Sequence, residues 1–188
     1  MCSVAIFTRM FRSRWLLGGL GAMAALSPAG ALAATAPSTS TTPTPSAHAL
    51  LSSRELWATI DVCNPADQPD TVGIRGSMPG DGSSRDALYM RFVAQYRNGS
   101  RWTDLGKGAS TGYGSVGGGG SHSRQGGTSF VIAPVAGHPA FMLRGIVEFQ
   151  WRRGGTVIAS AARATSAGRR SLAGADPTGF SAAGCSIG

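Results

Sequence analysis

The chain has one lysine, Lys107, only 3 histidines and 3 cysteines, and just 9 acidic residues among 188. Each shortage closes off a class of function. His48, His122 and His138 stand apart in sequence and no cysteines cluster, so no metal-ligand spacing exists and no metal or other cofactor is expected. Asp61, Asp67, Asp70, Asp81, Asp86 and Asp104 fall mostly in or beside turns, where aspartate bonds the nearby backbone. They present no pair of carboxylates facing a cleft, which glycoside hydrolysis requires. Asp81-Gly82 beside Asp86 offers oxygen ligands for calcium, but without the loop pattern of a dedicated calcium site. The apolar run Trp15–Leu26 has 12 residues, too short to span a bilayer as a helix. No stable transmembrane anchor is therefore expected.

What the N-terminus does contain is an export address. Residues 1–33 read as a signal peptide. Arg9, Arg12 and Arg14 supply the basic start, Trp15–Leu26 the apolar stretch, and Ala31-Leu32-Ala33 the small-x-small site, with cleavage expected after Ala33. Met10 opens an equally complete signal, so Met1 and Met10 are both candidate starts. No Arg-Arg pair precedes the run, which points to the general secretory route. Residues 34–53 read as a linker. From Thr35 to Ser46, 11 of 12 residues are Ser, Thr or Pro, and such a segment cannot offset the entropy of ordering it.

Residues 54–188 are long enough for one domain with a real core. After residue 33, 14 Lys and Arg face 9 Asp and Glu, a net charge of +5. With Ala and Gly abundant, the preference for arginine over lysine reads as a GC-rich genome rather than nucleic-acid chemistry. On an exported protein this charge favours anionic walls or membranes. Two cysteines follow the signal, Cys63 and Cys185, and an even count in an oxidising compartment argues for a bridge. Such a bridge is expected to staple the two ends of the domain rather than its two sheets.

Strand signals recur along the domain. Leu56–Cys63 alternates apolar and polar residues, as a half-buried strand does, and Thr71–Met78 is a second short strand. In Ala87–Arg97, Leu88, Met90, Phe92, Ala94 and Tyr96 share one face, opposite Tyr89, Arg91, Val93, Gln95 and Arg97. Asn98-Gly99 then predicts a type I′ turn, with Arg101–Leu105 returning. Gly106–Gly127 reads as an exposed, mobile Gly/Ser loop, and Ser129–Ala133 as a short strand. Phe141–Trp151 repeats the long alternation. Gly154-Gly155 predicts a second hairpin, with Thr156–Thr165 returning. About seven strands, no helix and one bridge predict an all-β sandwich, immunoglobulin-like or fibronectin-like in outline.

Cys63-Asn64-Pro65, Gly73-Ile74-Arg75-Gly76-Ser77-Met78-Pro79-Gly80-Asp81-Gly82, Met90-Arg91-Phe92 and Gly174-Ala175-Asp176-Pro177, with Gly179-Phe180-Ser181 before Cys185, resemble a group of uncharacterised secreted β-sandwich proteins of GC-rich Gram-positive bacteria. The resemblance spans nearly all of residues 54–188. It implies export and an immunoglobulin-like sandwich, and it supplies no catalytic residue.

Candidate chemistry is sparse. Gly108-Ala109-Ser110-Thr111-Gly112 matches the nucleophile-elbow pattern, which works only on a sharp strand-to-helix turn. It sits here in a Gly/Ser-rich stretch with no helix after it, so no catalytic residue is assigned. If the two long strands are neighbours, Arg91, Arg97, Arg144 and Arg152 form a candidate anion-binding face. Trp57, Trp102 and Trp151 are candidate sugar-stacking platforms; Trp151 follows the inward register, and Trp102, beside a hairpin tip, is the one expected nearest the surface. The expected role is a secreted or wall-associated binding or structural module of the cell envelope. Its expected partner is an anionic wall polymer, a glycan or another envelope protein, and not nucleic acid, which needs aromatics interleaved with the cations. The alternative is a small secreted hydrolase or inhibitor acting through residues 106–127.

Overall fold

A computed structural model describes residues 45–170 and 172–188. The signal peptide and most of the linker lie outside the described residues. The described chain is an all-β sandwich of nine strands, not seven: β1 (Trp57–Cys63), β2 (Thr71–Pro79), β3 (Asp86–Asn98), β4 (Arg101–Asp104), β5 (Gly114–Gly118), β6 (Ser123–Val131), β7 (Phe141–Arg153), β8 (Thr156–Ala164) and β9 (Cys185–Ile187). One sheet has the order β1-β2-β6. The other has the order β4-β3-β7-β8, with β5 added along β3 and β9 along β7. All named strand pairs are antiparallel.

The two long alternating segments are neighbours. β3 and β7 pair from Asp86↔Arg153 to Tyr96↔Leu143. Because side chains alternate across a strand, this register puts Leu88, Met90, Phe92 and Ala94 on the same face as Leu143, Val147, Phe149 and Trp151, and all eight are buried. Trp151 is fully buried, and its Nε1 donates to the Pro79 carbonyl at 2.9 Å. An indole placed there satisfies its one donor while filling the core. Ile60, Ile74 and Met78 face this layer from the smaller sheet.

Two glycines set the spacing of the sheets. A Cβ on Gly76 would lie 2.8 Å from Val147 Cγ1, and one on Gly145 would lie 2.7 Å from Ile74 Cγ2. Both distances are well inside ordinary carbon contact, so the sheets approach closely only because these positions lack a side chain.

Several expectations are corrected. The Gly-rich stretch 106–127 is largely structured: β5 pairs with β3, and β6 pairs with β2 along Thr71↔Val131 to Pro79↔Ser123. Strand pairing uses backbone groups, which glycine has like any other residue. The absent apolar periodicity hid strands held by main-chain bonds. β1 is buried on both faces rather than half-buried. Its outer face is covered by the C-terminal segment, where Leu172, Ala175 and Phe180 pack on Trp57 and Ala182 exchanges backbone bonds with Ile60. That cover satisfies the outer edge of β1 and explains how Asp61 and Thr59 come to be buried.

The first hairpin turn is shifted by one residue. Asn98 pairs with Arg101, leaving Gly99-Ser100 at the tip with φ +61° at Gly99 alone. Glycine at the first central position with φ > 0 is the type II′ pattern. Gly154-Gly155 forms the expected tight turn, with φ +53° and +87°. A short helix not expected from sequence, α1 (Ala47–Leu51), lies inside the stretch read as linker. Ser46 caps it by accepting from the Ala49 N–H at 3.3 Å, and Leu50 is buried in the core.

Cys63 and Cys185 form the disulfide. Since β1 belongs to one sheet and β9 to the other, the bridge crosses between the sheets. It does more than staple the ends: the C-terminal strand returns to β7 and carries its cysteine across the core.

Candidate functional site on the outer face of the larger sheet

The β3–β7 register also sets out the opposite face of the sheet. Arg91 stands opposite Glu148, Gln95 opposite Arg144, Tyr89 opposite Gln150, and Ala87 opposite Arg152. On β4, Trp102 is opposite Arg97 and Asp104 opposite Gln95. All four candidate arginines and Trp102 therefore share one face. The pair Val93↔Ile146 divides it into two clusters. Val93 is buried, with Ser110 bridged to its backbone.

In the first cluster Arg91 is neutralised. Its Nη1 donates to both Glu148 oxygens at 3.0 Å and its Nε to the Thr111 carbonyl at 3.2 Å. Tyr113 adds a third hydrogen bond to Glu148, its hydroxyl donating to Oε2 at 2.8 Å. Burial, that hydrogen bond and the Glu148 charge hold the Tyr113 phenol above its ordinary pKa. Arg152 lies over two rings, 4.2 Å from the Tyr89 centroid and 5.2 Å from that of Tyr113. Its Nε and Nη2 donate to Gln150 Oε1.

In the second cluster the Arg144 guanidinium lies 4.5 Å over the Trp102 ring. Its Nε donates to Gln95 Oε1 at 2.8 Å, and Gln95 Nε2 donates to Asp104 Oδ1 at 2.7 Å. Stacking of this kind contributes about 0.5–1 kcal/mol at a partly exposed site. It also fixes a flexible side chain in one pose. Trp102 is half-buried, with Arg144 as its cover. Arg97 is exposed, its Nε on the Gly99 carbonyl at 3.1 Å.

The structure thus gathers Arg91, Arg97, Arg144, Arg152 and Trp102 and gives them different standings. Arg144 and Arg152 lie over aromatic rings with part of each guanidinium uncommitted, whereas Arg91 is tied to a carboxylate. Trp57 and Trp151 are buried and lie away from this face. Sequence reasoning missed Tyr113. As the one aromatic in the Gly-rich stretch 106–127, it carried a signal, since a large ring in such company needs a surface to pack on.

Two further groups bear on the chemistry. Ser110 does not sit on a strand-to-helix turn, and the surface beside it is lined by Arg91, Val93, Asp104, Gly106 and Lys107. Asp81 and Asp86, expected in turns, are both buried and lie side by side. Arg153 grips Asp86 with two bonds of 2.7 Å, and its guanidinium holds that carboxyl down at about 2. Asp81 accepts from the Ser83 N–H at 2.9 Å through Oδ1, while Oδ2 is buried without a donor. Burial and the neighbouring Asp86 raise its pKa.

No known family model matches the chain, and no curated protein matches it. Among the described residues no helix is long and apolar enough to cross a membrane.

Proposed function

We propose that the chain is an exported binding module of the cell envelope that engages an anionic polymer or glycan through the outer face of its larger sheet. The single observation behind this reading is the pair of stacked cations, Arg144 on Trp102 and Arg152 on Tyr89 and Tyr113. A guanidinium over a ring and hydrogen-bonded to a neighbouring glutamine has lost much of its freedom before a ligand arrives, which lowers the entropy cost of binding. Planar donors over half-buried rings suit carboxylate, phosphate and sugar groups alike. The disulfide is consistent with an oxidising compartment. The sequence signal and the Ser/Thr/Pro-rich linker supply the export part of the proposal.

The competing reading, a small hydrolase or inhibitor working through residues 106–127, has less behind it. Much of that stretch is taken up by β5 and β6.

The test is co-sedimentation of the purified protein with envelope from its source organism at low and high salt. The reading expects binding that persists in high salt and is lost in Arg144→Ala and Trp102→Ala. Binding that vanishes with salt and ignores both substitutions would reduce the interaction to screened net charge. No binding at either salt would overturn the reading.

A further inference from the structure

The sandwich has an open mouth at the end where the β3–β4 hairpin turns. On the inner face the β3 row ends at Tyr96, and the β7 row begins at Phe141. Beyond them the β3–β4 hairpin and the β6–β7 connection border an open pocket of about 700 Å³. Tyr96, Leu105, Phe141 and Met142 give it apolar walls, with Val135 and Pro139 from the connection. Volume and lining fall in the range of small-molecule sites, which are mostly apolar with a few placed polar groups.

Two observations separate this mouth from an ordinary surface dent. Val135 is 65 % exposed and Met142 43 % exposed, and both edge the same opening. Large apolar side chains left in water around one opening mark a surface that something covers. The second observation is charge. Arg97 lines the cavity, as does His138, and no Asp or Glu does. Arg97 Nε is held by the Gly99 carbonyl, which leaves both terminal nitrogens without a partner among the described residues. An apolar cavity with an uncompensated guanidinium at its rim selects for an apolar body carrying a negative charge.

We propose that this mouth binds a small amphipathic anion, with an aliphatic or aromatic body against Tyr96, Leu105 and Phe141 and a carboxylate, sulfate or phosphate on Arg97. Arg97 also borders the outer face, but Arg144 and Trp102 do not line the mouth, so Arg144→Ala and Trp102→Ala test that reading while decanoate binding tests this one.

The experiment titrates anilinonaphthalene sulfonate into the purified protein and displaces it with decanoate or decanol. Saturable binding at one site is expected, with decanoate at least about tenfold stronger than decanol, as one charge-assisted hydrogen bond implies. Arg97→Gln should weaken decanoate by about tenfold and leave decanol unchanged. Val135→Asp puts a carboxylate at the rim and should also expel the anion; its exposure keeps the fold out of question, and an unchanged near-ultraviolet circular dichroism spectrum checks this. Absence of saturable binding, equal affinity for decanoate and decanol, or wild-type affinity in both variants would overturn the proposal.

Discussion

Replacing Asp81 with Asn should stabilise the domain at neutral pH, although a buried polar group is usually dangerous to touch. In the wild type the Asp81 carboxyl is 1 % exposed, with one oxygen on the Ser83 N–H and the other facing no donor. Beside it lies Asp86, whose charge Arg153 holds in place. Above its raised pKa, Asp81 therefore sets a second carboxylate against the first, with one guanidinium for the two. Asn keeps the carbonyl oxygen for Ser83 and offers an N–H to Asp86. A hydrogen bond to a charged group contributes about 1.5–3 kcal/mol at best. Allowing for imperfect geometry, the gain at pH 7 should be about 1 kcal/mol, a shift of a few degrees in Tm for a domain of this size. The pH dependence carries the sharper test. A raised folded-state pKa means that the Asp81 contribution is fully present below its unfolded value and is lost as pH rises through the folded value. At low pH the wild-type carboxyl holds its own proton and donates to Asp86 itself, so the advantage of Asn should shrink towards pH 4. Asp86 runs the other way: its depressed pKa gives stability that is present above about pH 4 and is lost as pH falls towards 2. Urea unfolding of both proteins from pH 4 to pH 8 measures this directly. A destabilised variant at pH 7, or a gain that does not vary with pH, would refute the reasoning.

Removing the disulfide should be costly. Cys63 and Cys185 are 122 residues apart, and opening a loop of that length returns about 5 kcal/mol of chain entropy to the unfolded state as an upper figure. The Cys63→Ala/Cys185→Ala protein should unfold at much lower urea than the oxidised wild type, and a difference below about 1 kcal/mol would count against the loop-closure account. Gly145→Ala should cost about 1–3 kcal/mol by overpacking the two sheets, because its Cβ would meet Ile74 Cγ2 at 2.7 Å and Thr165 Cγ2 at 2.9 Å. Unchanged thermal stability in that variant would mean the sheets are free to separate there.

Strands whose one face is core were plain in the sequence, and strands of other kinds were not. In β3 and β7 one face is core and the other is solvent, so the alternation of Leu88, Met90 and Phe92 with Tyr89 and Arg91 wrote both face and length into the chain. β6 has nothing comparable: Ser123–Val131 includes Gly126 and Gly127, and only Phe130 is buried. Its place is set by hydrogen bonds to β2, which composition does not record. β1 failed differently. Its polar residues sit on a face that the C-terminal segment covers, and no local pattern reports what a distant segment will do. The candidate face followed the same division. Arg91, Gln95, Arg144 and Arg152 were found because their strands were found. Tyr113 was missed because it reaches Glu148 from a segment read as loop.

The order β1-β2-β6 in one sheet and β4-β3-β7-β8 in the other has a kinetic side. The smaller sheet waits for its third strand until β3, β4 and β5 of the larger sheet have been passed in the chain. β9 then comes back to a strand that begins more than forty residues earlier. Pairings of this kind must close long loops before any contact repays them, which makes folding slow relative to helical domains of the same size. Neither half of the chain can settle early into a stable unit, since each sheet draws strands from both. A polypeptide that stays open for longer remains threadable. For the proposed exported module, the topology that delays collapse would also keep the chain competent to pass through a narrow channel before the bridge closes behind it.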